Sequence, residues 1–532
     1  MKTLAAAKFS LKNPLVSLLQ ISKTTTHILQ ILAQLTTNDL ITEPFTLSQL
    51  LMSLTSPNTL NMDQAERLFN QIYQPNTYMH NTMIRGYTQS SNPQKALSFY
   101  VNMKRKGLLV DNYTYPFVLK ACGVLMGLVE GTEIHGEVVK MGFLCDVFVV
   151  NGLIGMYSKC GHMGCARSVF EGSEIKDLVS WNLVLRGFVE CGEMGKAREI
   201  GDLVAAQQLF NEMPERNVFS WSIMIDGYAQ HGNPKEALYL FREMLCQGVR
   251  PDVISVMGAI SACAQVGALD LGKWIHVFMK RSRITMDMIV QTALIDMYMK
   301  CGSLDEARRI FYSMTKKNVI SYNVMIAGLG MNGFGEEALK CFAQMETEGI
   351  PKDDLIFLGV LIACSHSGLA TEGYRIFQSM KRHCGIEPKL EHYSCLVDLL
   401  SRAGELEQAL NIVESMPMKP NLALWGTLLL ACRNHQNVTL AEVVVEGLVE
   451  LKADDCGLYV LLSNIYADAG MWEHALRIRK MMRKRKIKKE TGRSVIEIDG
   501  NIKEFVSGEI FDVQSEELEL VIQSFVKTTI ER

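Results

Sequence analysis

A chain of 532 residues is long enough for several domains, yet its glycines and prolines gather into no linker-like stretch, which favours one continuous architecture. The net charge of -3 argues against a protein that holds nucleic acid mainly by neutralising phosphates, so any such contact must be local and patterned. No run of about eighteen apolar residues occurs, as a membrane span requires, and the 14 cysteines include no C-x-x-C, which reads as small core side chains in a reducing compartment.

Residues 1–43 carry Lys2, Lys8, Lys12 and Lys23 among Ser and Thr, with no acidic residue before Asp39. Such a start is compatible with an organellar transit peptide followed by a degenerate copy of the repeat described next. Residues 44–76 read as another degenerate copy.

From residue 77 to 421 one outline recurs. The pattern A-[LR]-x-x-F-x-x-M, or a close variant, starts at Ala96, Ala237, Ala307, Ala338 and Ala409, with related forms at Ala65 and Ala166. From Ala237 onward the spacings are 70, 31 and 71 residues, which resolve into units of 35, 35 or 36, and 31. Within a unit, "VISYNVMIAGLGMNG" (319–333) and "FGEEALKCFAQMETEGIPKD" (334–353) place apolar residues at intervals of three and four. This predicts two amphipathic helices, the second stopped by Gly and kept from resuming by Pro. A lone helical hairpin cannot bury its apolar faces, so the fold is expected to be all-α, with neighbours stacking into an α-solenoid that has a concave groove.

One unit departs from the rule. Residues 178–217 number 40 where 31 are expected, because "GEMGKAREI" (192–200) is followed by the similar "GDLVAAQQL" (201–209). Nine extra residues turn a helix by about 900°, half a turn out of phase, so a looped-out or lengthened segment is expected there.

The units "VFSWSIMIDGYAQHGNPKEALYLFREMLCQGVRPD" (218–252) and "VFVVNGLIGMYSKCGHMGCARSVFEGSEIKD" (147–177) resemble plant pentatricopeptide repeats. The alternation of ordinary, long and short units resembles the subclass associated with organellar RNA editing, and the likeness covers about 77–490. The W-x-x-L-G-x-x-Y signature of the rival tetratricopeptide repeat is missing. The resemblance implies a right-handed α-solenoid superhelix of helix-turn-helix repeats, each meeting one nucleotide of single-stranded RNA.

In that family the fifth residue of a repeat and its last residue choose the base. Asn, Ser and Thr differ in donors and acceptors, and can therefore distinguish the edges of unstacked bases. Asn81 with Asp111 and Asn151 with Asp177 imply U; Asn182 with Asn217 imply a pyrimidine. Ser222 with Asp252 imply G, Thr292 with Asn318 imply A, and Asn323 with Asp353 imply U. The long units offer Pro116, Met257 and Leu358 at the fifth place, which cannot hydrogen-bond a base and are expected to space the chain.

The second residues are Tyr78, Tyr113, Phe148, Val179, Phe219, Ile254, Ile289, Ile320 and Leu355. By resemblance these sandwich the bases; the alternative is that they are ordinary apolar residues at helix starts. Glu391 breaks the series, and with it reading by Ser394 and Asn421. Lys159, Lys300 and Arg402 share one place near the end of the first helix of short units, as possible phosphate contacts or simply exposed cations.

Residues 422–455 and 456–490 resemble the two E-type motifs that close editing proteins. "TGRSVIEIDGNIKEFVSGE" (491–509) alternates apolar and polar residues around "DGN", which predicts a short hairpin, then a helix toward residue 532. The family's DYW-type deaminase would come next, and the chain stops at Arg532. A zinc deaminase needs H-x-E and a later P-C-x-x-C; "HGE" at 135–137 meets only the first half, inside a repeat helix. No enzymatic activity, cofactor, metal or small-molecule substrate is therefore expected. The run "RIRKMMRKRKIKK" (477–489) is a positive patch for RNA, for a partner, or for water alone.

The expectation is an RNA-binding adaptor of a mitochondrion or chloroplast that positions a cytidine for C-to-U editing by a deaminase supplied in trans. Its target would read U-N-U-Y-G-N-A-U-N-N, then three nucleotides and the edited C. The alternatives are a factor for RNA splicing, stability or translation, and a protein-interaction scaffold.

Overall fold

A computed structural model describes residues 18–19, 24–37, 43–191, 200–450, 456–484, 493–498 and 501–506. In it, each helix starts and stops on signals written beside it. Helix Val319–Met331 begins where the Asn318 side chain accepts the Ser321 N–H, and Gly333, at φ 82°, ends it in the left-handed region. Helix Gly335–Thr347 follows with Glu336 and Glu337 in its first turn, where carboxylates suit the helix dipole. It closes at Gly349, φ 68°, where the Ile350 N–H returns to the Met345 carbonyl.

Two compact units result, Met1–His231 with Leu240–Pro251, and Gly232–Tyr239 with Asp252–Arg532. In the first, helices Thr25–Thr37, Pro44–Leu54 and Met62–Gln71 precede the regular pairs. Those pairs are Thr77–Gln89 with Pro93–Arg105, Thr114–Val124 with Leu128–Lys140, Val147–Lys159 with Met163–Gly172, and Leu178–Cys191 with Ile200–Glu212; Val218–Gln230 follows. The second unit holds Val253–Val266 with Leu269–Arg281, Met288–Lys300 with Leu304–Ser313, Val319–Met331 with Gly335–Thr347, and Asp354–Ser367 with Ala370–Cys384. It continues with Leu390–Arg402 and Leu406–Ser415, Leu422–Asn434 and Val438–Glu450, Cys456–Asp468 and Trp472–Lys484. The division between units passes through helix Pro234–Cys246.

Within each unit the first helices of consecutive repeats pack on one another, and each second helix rests on its own first helix and on the next repeat's. The repeating anchor is what fills that wedge. Ala96, Ala166, Ala206, Ala237, Ala307, Ala338 and Ala409 are all wholly buried, and the aromatic residues four positions after most of them are buried too, Phe241 and Phe311 completely. Burying a side chain of that size contributes about 1.5–3 kcal/mol. Long repeats replace the anchor Ala by Gly131, Gly272 and Gly373. A Cβ at Gly131 or Gly272 would lie 2.5 Å from Met156 or Met297 of the following repeat, so Gly leaves the room that methionine occupies.

Short repeats are short because their second helix is. Met163–Gly172, Leu304–Ser313 and Leu406–Ser415 have 10 residues each, against 13 in Pro93–Arg105, Leu128–Lys140 and Gly335–Thr347. In the 40-residue unit the second copy of the duplicated stretch supplies the helix, with Ala206, Phe210 and Met213 in the anchor places. The first copy (192–200), apart from its last residue, lies outside the described residues.

After the last helix, β1 (Arg493–Ile498) and β2 (Asn501–Val506) pair antiparallel with Ile498 opposite Asn501, a hairpin with Asp499 and Gly500 between its strands. Of residues 1–43, expected as a transit peptide and a degenerate repeat, 1–17, 20–23 and 38–42 lie outside the described residues, as do the segment expected as a terminal helix (507–532) and the end of the basic run (485–489). Arg477, Arg479 and Lys480 are exposed on helix Trp472–Lys484, whose Ile478 is buried. No described helix is long and apolar enough to cross a membrane.

Candidate nucleic-acid interface

Eight of the nine second-position residues stand on the first turn of a first helix and Tyr113 stands just before one, and all nine are exposed, from 41% at Phe219 to 70% at Tyr113. The residue after each points inward: Met79, Val149, Val290 and Ile356 are buried. Ordinary helix-start packing would bury the large apolar side chains, and here it buries their neighbours instead. Glu391, in the tenth place of the series, is exposed as well.

The last residue of a repeat caps the first helix of the next. Asp111 Oδ1 accepts the N–H groups of Tyr113 and Thr114, Asp353 Oδ1 that of Ile356 at 2.9 Å, and Asn318 Oδ1 that of Ser321 at 2.9 Å. Asn and Asp are the preferred residues for that task, so this position serves the fold whatever else it does. Around Asp177 burial alone would raise the carboxyl pKa, but the Ser180 N–H and hydroxyl, with Asn151, hold it below the usual carboxylate range.

Three fifth-position amides reach the last residue of their own repeat. Asn81 Nδ2 donates to Asp111 Oδ1 at 2.9 Å, Asn151 Nδ2 to Asp177 Oδ1 at 3.2 Å, and Asn323 Nδ2 to Asp353 Oδ1 at 3.4 Å. The pairs implied for U are thus joined across 30, 26 and 30 residues. Their carbonyl ends differ. Asn81 Oδ1 receives the Thr114 hydroxyl at 2.7 Å, whereas Oδ1 of Asn151, Asn182 and Asn323 is buried without a partner. A buried acceptor left unpaired costs about 1–3 kcal/mol, which a donor arriving from outside would recover. Asn217 caps the next helix through Ser220, 2.9 Å away.

Ser222 and Thr292 behave alike. Each hydroxyl donates to the carbonyl four residues back, Val218 at 2.8 Å and Met288 at 2.7 Å, which commits its proton and makes the oxygen an acceptor. Ser222 and Asp252 belong to different units. Pro116, Met257 and Leu358 are half-buried in the corresponding places of the long repeats.

The three cations stand in ion pairs. Lys159 Nζ is 2.8 Å from Glu190, Lys300 Nζ 2.8 Å from Asp296, and Arg402 Nε 2.9 Å from Asp398. Pairs this exposed are worth about 0.2–1 kcal/mol, so a phosphate competes for each cation against a weak partner. The "HGE" residues are committed to packing. His135 Nδ1 meets the Tyr157 hydroxyl at 2.9 Å, and Glu137 accepts from Tyr100 and Lys104 of the preceding repeat. Among the described residues no group of three or more His, Cys, Asp or Glu is arranged to hold a metal. Cys122 and Cys263 are buried, whereas Cys160 and Cys301 are only half-buried; burial pushes the Cys122 thiol up to about 12.

Reading the sequence by pairs missed Thr114, the third residue of its repeat. The available signal was [DN]-x-x-[ST] across repeat boundaries, present at Asp111, Asp177, Asn217, Asp252 and Asn318.

The chain matches the PPR repeat family at residues 75–123 and 216–265, the PPR repeat at 179–202, 292–319, 320–350 and 391–420, and the E motif at 435–497. It is 44% identical over 466 residues to pentatricopeptide repeat-containing protein At2g20540 of Arabidopsis thaliana, covering 87% of this chain and 86% of that one. Two further Arabidopsis thaliana relatives carry locations in their names. At2g22410, mitochondrial, is 33% identical over 94% of this chain and 87% of its own; At2g02980, chloroplastic, is 35% identical over 89% and 72%. The crystal structure of pentatricopeptide repeat protein PPR10 from maize aligns with a TM-score of 0.52 at 18% identity, covering 90% of this chain and 74% of that one, a likeness of fold.

Proposed function

Because the chain belongs to the pentatricopeptide repeat family and carries an E motif, we propose that it binds one single-stranded RNA sequence and presents a cytidine for C-to-U editing. The observation that carries this reading is the row of nine exposed apolar residues, each beside a fifth-position residue in its repeat. An apolar side chain left in water at the start of nine helices is a cost without a covering partner. A base stacked on it removes that cost and contributes about 1–3 kcal/mol.

On this reading each repeat meets one nucleotide and the long repeats leave theirs unread, giving U-N-U-Y-G-N-A-U-N-N, three more nucleotides and the edited C. The near-neutral charge fits a protein whose affinity comes from stacking and hydrogen bonds more than from phosphate neutralisation. Lys159, Lys300 and Arg402 contribute local phosphate contacts by exchanging a carboxylate for RNA. The deaminase is a DYW-type partner acting in trans, since His135 and Glu137 are held in packing contacts. The compartment is a mitochondrion or chloroplast, as the names of the two located relatives suggest.

The test is editing in a plant that lacks the protein. Organellar cytidines preceded by that sequence should stay unedited, and normal editing at all of them would refute the adaptor role.

A further inference from the structure

In repeat 77–111 the fifth-position amide is held at both ends, and the second holder lies outside the pair. Thr114, wholly buried, is the third residue of the next repeat. Its Oγ1 is 2.7 Å from Asn81 Oδ1 and 2.8 Å from Asp111 Oδ1, with one proton for two acceptors. Asp111 Oδ1 already takes the Tyr113 N–H at 3.2 Å, the Thr114 N–H at 2.9 Å and Asn81 Nδ2 at 2.9 Å. The hydroxyl proton therefore belongs to Asn81 Oδ1, and the three side chains close a ring.

The same place is filled differently elsewhere. Ser180 follows Asp177 and keeps its Oγ 2.8 Å from that carboxylate, while Asn151 Oδ1 stays buried and unpaired. Ile356 follows Asp353 and has no hydroxyl to offer, and Asn323 Oδ1 is likewise unpaired. The branched Cβ of threonine restricts its χ1, which keeps the hydroxyl aimed at the amide; serine rotates more freely.

We propose that the third residue of the following repeat is a positioning residue for base reading, and that Thr114 sharpens discrimination at the nucleotide facing Asn81. The inference rests on the RNA reading proposed above. An amide tied only at Nδ2 can swing about its broad terminal torsion and adapt to a mismatched base. An amide tied at both ends is already ordered: the fitting base gains without an ordering cost, and the wrong base cannot recruit it by rotation. Thr114 itself is buried and touches no base.

The experiment measures binding of the full-length protein to synthetic RNA U-N-U-Y-G-N-A-U-N-N with U or C at its first or eighth nucleotide, which face Asn81 and Asn323. Thr114→Val should lower the U-over-C ratio at the first nucleotide by about fivefold, the worth of one neutral hydrogen bond, and leave the eighth unchanged. Thr114→Ser should restore part of it, and Ile356→Thr should raise the ratio at the eighth. A purely structural role would weaken both RNAs equally and leave every ratio as it was. Unchanged ratios in both Thr114→Val and Ile356→Thr, in a parent protein that prefers U, overturn this inference. A parent protein that prefers U at neither nucleotide overturns the RNA reading instead.

Discussion

His276 Nδ1 lies 2.9 Å from the Tyr298 hydroxyl, and His135 stands at the same distance from Tyr157, 22 residues on in both cases. Each contact ties the second helix of a long repeat to the first helix of the short repeat after it. Burial pushes the Tyr298 hydroxyl up to about 12, so it keeps its proton and can donate to a neutral imidazole.

Burial also lowers the pKa of His135, His276 and His80. A histidine with a depressed folded pKa favours the folded state when neutral. Its contribution is complete above the ordinary value of about 6.5 and is lost as pH falls through the folded value, at about 1.4 kcal/mol for each pH unit that separates the two values. The protein should melt at a lower temperature at pH 5.5 than at pH 7.5, and His276→Gln should shrink the difference. A melting temperature that rises on acidification would refute the assignment.

Gly330 of helix Val319–Met331 approaches the backbone of the next first helix. A Cβ there would stand 2.6 Å from Ala363 Cα, where no side-chain rotation relieves the clash. Gly330→Ala should destabilise by about 1–3 kcal/mol. Gly155→Ala, in a helix with open space at that point, should stabilise by about 0.5–1 kcal/mol. Denaturant titration of the two variants checks both signs.

Phe148 and Tyr113 are among the most exposed of the nine apolar residues. Phe148→Ala and Tyr113→Ala should each weaken RNA binding by about 1–3 kcal/mol and shift the melting temperature little. Unfolding with RNA affinity retained would be the result expected of a core residue.

Asp111 is a helix cap and, on the function proposed above, also half of a reading pair. Asp111→Ala should cost about 1 kcal/mol of stability, because two N–H groups lose their acceptor, whereas Asp111→Asn keeps the cap and changes only what the pair offers a base. Thermal melts and base-preference measurements on the two variants separate the roles.

The anchor Ala, Phe and Met were legible because they repeat and because one wedge between helices demands the same shape each time; Ala307, Phe311 and Met314 are buried as that rule requires. Its long-repeat form was hidden, since Gly131 and Gly272 answer Met156 and Met297 of another repeat, a contact no local pattern records. The shortening of Met163–Gly172 and Leu304–Ser313 was visible only as a shorter period. Of the three cations, Lys300 and Arg402 have partners four residues away that the sequence displays, while the partner of Lys159 is Glu190 on the next repeat. Thr114 escaped notice because attention to residue pairs leaves out the cap box that joins repeats.

The most direct test is binding of the full chain to single-stranded U-N-U-Y-G-N-A-U-N-N and to the same RNA with its G and A exchanged. On the proposed register these two nucleotides are the ones assigned to Ser222 and Thr292. The account predicts a preference for the first RNA, reversed when Ser222→Thr with Asp252→Asn and Thr292→Ser with Asn318→Asp are combined. Equal binding of both RNAs by the parent protein, or a preference the four substitutions leave in place, would contradict it.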